Sequence, residues 1–265
     1  MVCTLITGAC GGLGRAFVKL LAEKKENLVL VGTSQKKLDA LVEEFKETFE
    51  GLFVKTFVCN LGKVEDREKL VKGLNKNEIV VNKLINNAGI IIEGDILRFK
   101  DEEIVNAVEV NCIGTLDLTK KLIEVRDKNQ KFEVLTVSSQ AAFQPIPHMA
   151  VYAATKSFLT SMMTALAVEL KDENIVFTTS CPSGMATTDA MKESIKSMGI
   201  KGKLTTLSTE KVARVSLKAL RKKKAVVIPG AVNKIVGFFS KFCSYHGLAK
   251  TTGKMWKKSQ SKRSF

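Results

Sequence analysis

The chain has two tyrosines, and one of them, Tyr152, stands four residues before Lys156 in the stretch SSQAAFQPIPHMAVYAATK, Ser138 to Lys156. Residues four apart share one face of a helix, so Lys156 is expected beside Tyr152. A neighbouring ammonium favours phenolate and draws a phenol pKa down from about 10. A phenol so tuned gives a proton to a carbonyl oxygen, or takes one back from an alcohol. Ser139, upstream in the same stretch, could hold that oxygen through its hydroxyl. Tyrosine–lysine pairs also arise on helices by chance, so their weight comes from what surrounds them.

These side chains need a rigid scaffold. Strand candidates are VCTLIT, LVLVG, FVKTFVC, KLINNAG, FEVLTVSS, IVFTTSCP and AVVIPG. Helix candidates run over 13–25, 36–49, 66–74, 102–125, 151–171 and 209–221. The strands are apolar nearly throughout, the pattern of a parallel sheet buried on both faces. Their alternation with helices implies stacked βαβ units and a doubly wound α/β domain with a mostly parallel, seven-stranded sheet. No Pro/Gly/Ser-rich linker divides the chain. Residues 1–231 read as one domain, and 232–265 as an amphipathic helix and basic tail packed on it or extending from it.

Between the first strand and first helix lies TGACGGLG, with Gly8, Gly12 and Gly14 in the order G-x-x-x-G-x-G. Glycine there permits a tight turn and close backbone approach. The following helix offers free N–H groups and the positive end of its dipole to a pyrophosphate. The second strand ends in Gly32, Thr33 and Ser34, followed by Lys36 and Lys37. In dinucleotide folds a carboxylate at this point selects NAD. None stands here, and two hydroxyls with nearby lysines could hold a 2′-phosphate. NADP(H) is the expected cofactor, with NAD(H) possible.

Together, Thr7-Gly8-x-x-x-Gly12-x-Gly14, NNAG at Asn86–Gly89, Asn111, Ser139 and Tyr152-x-x-x-Lys156 resemble the short-chain dehydrogenase/reductases in order and spacing, over nearly the whole chain. The resemblance implies a single Rossmann-fold domain that moves hydride between a nicotinamide and a carbonyl or secondary alcohol. It makes Tyr152 the general acid/base, Lys156 its neighbour and a ligand of the nicotinamide ribose, and Ser139 the holder of the carbonyl oxygen. It gives Asn111 a water in a proton relay. On the cofactor it places Gly8, Cys10, Gly11, Gly12, Leu13 and Gly14; Thr33, Ser34 and Lys37; Asn60 and Leu61; and Asn87, Ala88 and Gly89. It adds Pro182, Ser183, Gly184, Met185 and Thr187 at the nicotinamide end, Thr187 serving the carboxamide. It also implies a homodimer or homotetramer built through 102–125 and 151–171. Two residues depart from the family's pattern: Asn60 where aspartate is usual at adenine, and Ser183 where glycine is common, which puts the local backbone path in question.

The net charge of +15 suggests anionic partners. The lysines are spread along the chain instead of forming one block, which reads equally as a basic surface. No helix-turn-helix, zinc-finger or RNA-reading aromatic pattern accompanies the charge, so nucleic acid is not the expected partner. The six cysteines lack metal-ligand spacing and only two histidines accompany them, so no metal site is expected. Cysteines in apolar runs fit a reducing, cytoplasmic setting. No signal peptide or transmembrane run is read at Val2–Ile6 or elsewhere. His148 reads as an exposed loop residue. The final stretch, VNKIVGFFSKFCSYHGLAK and a basic tail, suits core packing or peripheral membrane contact. The expected substrate is a carbonyl compound: a fatty 3-oxoacyl thioester, a steroid-like molecule or a small ketone, under a flap over 189–204. The competing reading is an NADP-binding sensor or scaffold that keeps the fold without turnover.

Overall fold

The computed structural model describes residues 1–185, 206–239 and 242–260. The parallel strands are β1 Val2–Thr7, β2 Leu28–Gly32, β3 Val54–Val58, β4 Val80–Asn86, β5 Phe132–Val137, β6 Ile175–Ser180 and β7 Val226–Val227. They form one seven-stranded sheet in the order β3-β2-β1-β4-β5-β6-β7. The helices are α1 Gly12–Ala22, α2 Gln35–Glu44, α3 Val64–Lys76, α4 Asp101–Val108, α5 Thr115–Glu124, α6 Ala150–Glu169, α7 Thr209–Arg221, α8 Ala231–Phe239 and α9 Tyr245–Gln260.

Successive strand residues face opposite sides of the sheet, and both sides are dry. Ile6, Leu28 and Leu30 join a core with Phe17 and Leu21 of α1, Leu41 of α2 and Leu217 of α7. Leu5, Val29 and Val31 join a second core with Leu70 and Leu74 of α3, Leu118 and Leu122 of α5, and Met163 of α6. Burial on both faces explains why the strand sequences do not alternate.

The order of strands reverses between β1 and β4, which opens a crevice at their carboxyl ends. One pair of side chains stitches its base. Thr7 Oγ1 accepts from the backbone N–H of Asn87 at 3.0 Å and of Ala88 at 3.1 Å. Asn87 Nδ2 donates back to the carbonyls of Thr7 and Gly8 at 3.1 and 3.0 Å. Gly8 sits at φ +63°, and a Cβ there would lie 2.9 Å from Ala88 Cα, so only glycine fits this crossing.

The stretch 102–125, expected as one helix, is interrupted. Between α4 and α5 a π-helical turn spans Glu109–Gly114 and carries Asn111. Such a turn inserts a residue and re-aims the side chains within it, and it recurs at functional sites. The C-terminal stretch also differs from the expected helix and tail. Residues 245–260 are helical, and both α8 and α9 are tied to the body. Gln140 Nε2 donates to the Asn233 carbonyl at 2.9 Å, and Thr252 Oγ1 to the Pro145 carbonyl at 2.8 Å.

Below the crevice, α3 is tied to α5 by Arg67, whose Nε donates to Asp117 at 2.5 Å and whose Nη1 donates to the Leu61 carbonyl. Burial works against the Asp117 carboxylate, but hydrogen bonds from Arg67 and Lys121 outweigh it and hold the pKa below the usual value. A carboxyl with a depressed folded-state pKa stabilises at neutral pH, and that contribution is lost as pH falls through the folded value. Asp117→Ala should cost about 3 kcal/mol in urea unfolding at neutral pH, because it strands the buried Arg67 charge. The gap between variant and natural chain should narrow in acid.

Candidate active site

β5 runs straight into the reacting end of the crevice. Ser138, the first residue past the strand, is structural: its hydroxyl donates to the Lys156 carbonyl at 2.9 Å and lies 2.7 Å from Thr160 Oγ1. Ser139, facing the other way, lines the cleft and accepts from the Ala141 N–H at 3.1 Å, which opens a short 3-10 turn over Gln140–Phe143. The chain then passes through Pro145 and Pro147 and enters α6, whose first turns carry Tyr152 and Lys156.

Lys156 is 4% exposed. Its ammonium donates to the Val137 carbonyl at 3.0 Å. Burial pulls its pKa down to about 8. It lies 5.7 Å from the centre of the Tyr152 ring. The phenol departs from the sequence-based expectation. Burial raises its pKa above the ordinary value, and the hydrogen bond with Ser139 opposes this only in part. Lys156 is tethered to β5 instead of to the phenol oxygen, and desolvation of the ring dominates. Tyr152 is therefore protonated at neutral pH.

Asn111 is fully buried behind this pair and does not line the cleft. Its Oδ1 accepts from the Ile90 N–H at 2.7 Å, and its Nδ2 donates to the Ile90 carbonyl at 2.9 Å and to Thr155 Oγ1 at 3.1 Å. Thr155 in turn donates to the Tyr152 carbonyl at 2.8 Å. Both amide hydrogens are thus spent on holding the β4–α4 loop to α6. What the side chain has left for a water is the second lone pair of Oδ1.

The other end of the cleft has the form of a dinucleotide site. The whole cleft measures about 1120 Å³, at the upper end for small-molecule sites. Gly8, Cys10, Gly11, Gly12 and Leu13 line it. So do Thr33, Ser34 and Lys37, Asn60 and Leu61, Asn87–Gly89, and Pro182–Met185. Gly14 lies beneath the loop: a Cβ on it would fall 2.2 Å from the Gly8 carbonyl oxygen. No side chain caps α1 and no acidic residue occupies its first turn, which leaves its N-terminal N–H groups for an anion. Ser34 caps α2, accepting from the Lys37 N–H at 3.4 Å, and its hydroxyl proton remains to donate. Asn60 Oδ1 is spent on the Gly62 N–H at 3.0 Å, so its amide hydrogens are what it offers an adenine. Ser183 does not adopt a positive φ, so serine is no strain there. Thr187 and the flap expected over 189–204 lie outside the described residues.

A family model described as short chain dehydrogenase matches residues 2–199. The chain belongs to the short-chain dehydrogenases, a family of NAD(P)-dependent oxidoreductases. It is 38% identical over 178 residues to a very-long-chain 3-oxoacyl-CoA reductase of Neurospora crassa, covering 64% of this chain and 52% of that protein. It is 33% identical over 182 residues to one of Schizosaccharomyces pombe, again covering 64% and 52%. The chain thus spans about half the length of these curated relatives. In fold it is similar to a 7beta-hydroxysteroid dehydrogenase, with TM-score 0.84, 22% identity and coverage of 94% of this chain and 95% of that one. A short-chain dehydrogenase from Sphingobium yanoikuyae in complex with NADPH superposes with TM-score 0.74 at 22% identity, covering 91% and 95%.

Several residues of this short-chain dehydrogenase site escape a reading by motif. Gln140, Gln144, Ile146, Met149, Ile91 and Glu93 also line the cleft. His148, expected as an exposed loop residue, has a partner: its ring stacks on Trp256 of α9 with centroids 3.9 Å apart and planes at 17°. Trp256 Nε1 donates to Glu93 Oε1 at 2.8 Å. His148 holds φ +65°, a left-handed conformation that costs energy outside glycine, and its carbonyl accepts from the Gly94 N–H at 2.8 Å. A clasp thus joins the loop after β4, the loop before α6 and α9. The sequence signal for it was the isolated tryptophan in the tail.

Lys156 is a buried cation whose hydrogen bond, among the described residues, goes to a backbone carbonyl and not to a carboxylate, so the fold is less stable for carrying it. A lysine with a depressed folded-state pKa costs stability in full below about pH 8, and the cost is relieved as pH rises toward its unfolded value. Lys156→Met should therefore raise the unfolding free energy of the cofactor-free protein at neutral pH, by about 2 kcal/mol after allowing for the lost hydrogen bond. The gain should shrink in alkali. A fall in stability at pH 7 would contradict this balance.

Proposed function

We propose that the chain is an NADP(H)-dependent reductase of 3-oxoacyl thioesters. The observation that carries this reading is the convergence of a protonated Tyr152, the Ser139 hydroxyl and the buried Lys156 ammonium at one end of a dinucleotide-shaped cleft. A phenol that keeps its proton at neutral pH can give it to a carbonyl oxygen, the proton transfer that reduction needs. The bound cofactor supplies the hydride. Ser139 orients the carbonyl oxygen, and Tyr152 gives that oxygen its proton from the Oη. The Lys156 charge stabilises the phenolate left behind. Asn111 holds the loop and α6 in register and has one lone pair for a relay water. Ile90, Ile91, Ile146 and Met149 give the substrate end an apolar wall suited to an acyl chain. The 3-oxoacyl-CoA class is supported by the names of the relatives.

The cofactor preference rests on charge. Among the described residues, Glu93 is the only carboxylate lining the cleft, and it lies in the loop after β4, not at the end of β2. Lys37 lines the cleft beside Thr33 and Ser34. Arg15 of α1 is taken by Glu44 and lies over the Phe45 ring. The proposed homodimer or homotetramer would use α4–α6 and the π turn, a reading supported by the exposure of Val105, Ile113, Phe158 and Val168.

The test is consumption of NADPH with 3-oxoacyl-CoA substrates of increasing length. Tyr152→Phe should lower kcat about a thousandfold while NADPH still binds; equal turnover in the variant would remove Tyr152 from the mechanism. Thr33→Asp should lower kcat/KM for NADPH about thirtyfold and leave NADH unharmed or improved, by placing a carboxylate against the 2′-phosphate. An unchanged ratio of the two cofactors would put the 2′-phosphate elsewhere.

A further inference from the structure

We infer that the outward faces of α8 and α9 form a docking surface for an anionic lipid bilayer, which brings the mouth of the cleft to the membrane. The docking goes beyond the proposed reaction and stands without it. The first observation is where the net charge resides. The lysines are spread along the chain, but the carboxylates are not: the last one is Glu210. Residues 1–210 balance 27 lysines and arginines against 27 aspartates and glutamates, so the whole +15 comes from the residues after Glu210. Eight of those charges fall in 231–265, without a single acidic side chain among them.

The second observation is how the two helices are turned. α8 buries Asn233 and Gly237, and α9 turns Leu248, Ala249, Thr252, Gly253 and Trp256 toward the protein. The opposite faces carry Lys234, Lys250, Lys254 and Lys257, all exposed. Beside them lie large apolar groups in water: Ile235 at 57% exposure, Phe242 at 74%, Tyr245 at 76% and Met255 at 61%. Lys234 with Ile235 on α8, Lys250, Lys254 and Lys257 with Met255 on α9, and Phe242 and Tyr245 where the two helices meet give the mixture of lysines with apolar and aromatic groups that suits a bilayer interface. Phosphate alone would call for the lysines and not for the apolar groups. A second copy of the same face would set basic residues against basic residues.

The third observation places this surface. The Trp256–His148 stack, the Trp256–Glu93 bond and the Thr252–Pro145 bond fix α9 to the loops that line the substrate end of the cleft. No helix among the described residues is long and apolar enough to cross a membrane, so α8 and α9 would lie along the bilayer surface.

The test is co-sedimentation of the full chain with phosphatidylcholine vesicles, with and without phosphatidylserine. Binding is expected only when phosphatidylserine is present, and added salt should release it. At about fivefold per lysine, K250E/K254E/K257E should lower the partition coefficient at least a hundredfold. Ile235→Ser with Tyr245→Ser should lower it about tenfold. Turnover of a short, water-soluble 3-oxoacyl-CoA without vesicles is read on the same samples. It confirms that the variants are folded and reports on the reaction separately, and NADPH binding serves the same check if that substrate is not turned over. Three results would overturn the inference: no binding to either vesicle, equal binding to both, or full binding by the triple-lysine variant. Binding to duplex DNA that the lysine variant loses and the apolar variant keeps, with no vesicle binding, would reassign the surface to nucleic acid. A dimer dissolved by the apolar variant, again without vesicle binding, would reassign it to a second copy.

Discussion

The Lys156 ammonium sits in the interior with a backbone carbonyl for a partner and, among the described residues, no carboxylate. Water would solvate that charge far better than one carbonyl does. The groups around it are neutral as well. Tyr152 keeps its proton, and Asn111 and Thr155 are spent on each other and on backbone. A cation left short of negative charge is poised for any that develops nearby. In the reaction proposed above, the carbonyl oxygen and the phenolate left by proton transfer are such charges. Pairing Lys156 with a resident carboxylate would relieve the interior and take away that response.

Much of the surrounding architecture holds this charge in place. Val137 ends β5, so the partner carbonyl is fixed by the centre of the sheet. Ser138, the first residue past that strand, is itself tied to the Lys156 carbonyl. Asn111 reaches α6 through Thr155 while gripping Ile90 on both sides of its peptide group. That double grip depends on the π turn. A regular helix continued through 109–114 would rotate the residue that faces Ile90. The Thr7–Asn87 stitch does the equivalent work at the other end of the same loop.

What was legible in the sequence was whatever depends on local pattern. Unbroken apolar runs revealed strands buried on both faces, and glycine spacing located the turn between β1 and α1. Tyr152, Lys156 and Ser139 stood out because their types are rare or their spacing helical. The π turn left no trace, because one inserted residue barely disturbs apolar periodicity over a stretch of this length. The direction of the Tyr152 shift was also hidden. Spacing places a lysine near a phenol, but only the fold decides that the ammonium points to Val137 and that the ring is desolvated. The clasp between Trp256 and Glu93 joins residues 163 positions apart, beyond the reach of any window. The charge asymmetry was legible all along, but only in the positions of the carboxylates, whereas the lysines draw the eye.

The two ends of the cleft have different origins in the chain, and this bears on what can vary. The dinucleotide end is built from β1 to β6 and the turns at their carboxyl ends, whose positions are locked by the sheet. A change there meets close backbone contacts, since a Cβ on Gly14 would fall 2.2 Å from the Gly8 carbonyl oxygen. The substrate end is lined by the loop after β4 and by the segment from Gln140 to Met149, to which α9 is tied through Thr252 and Trp256. The lining of that end is thus set by loops and not by the sheet, and it can change while the dinucleotide end stays fixed.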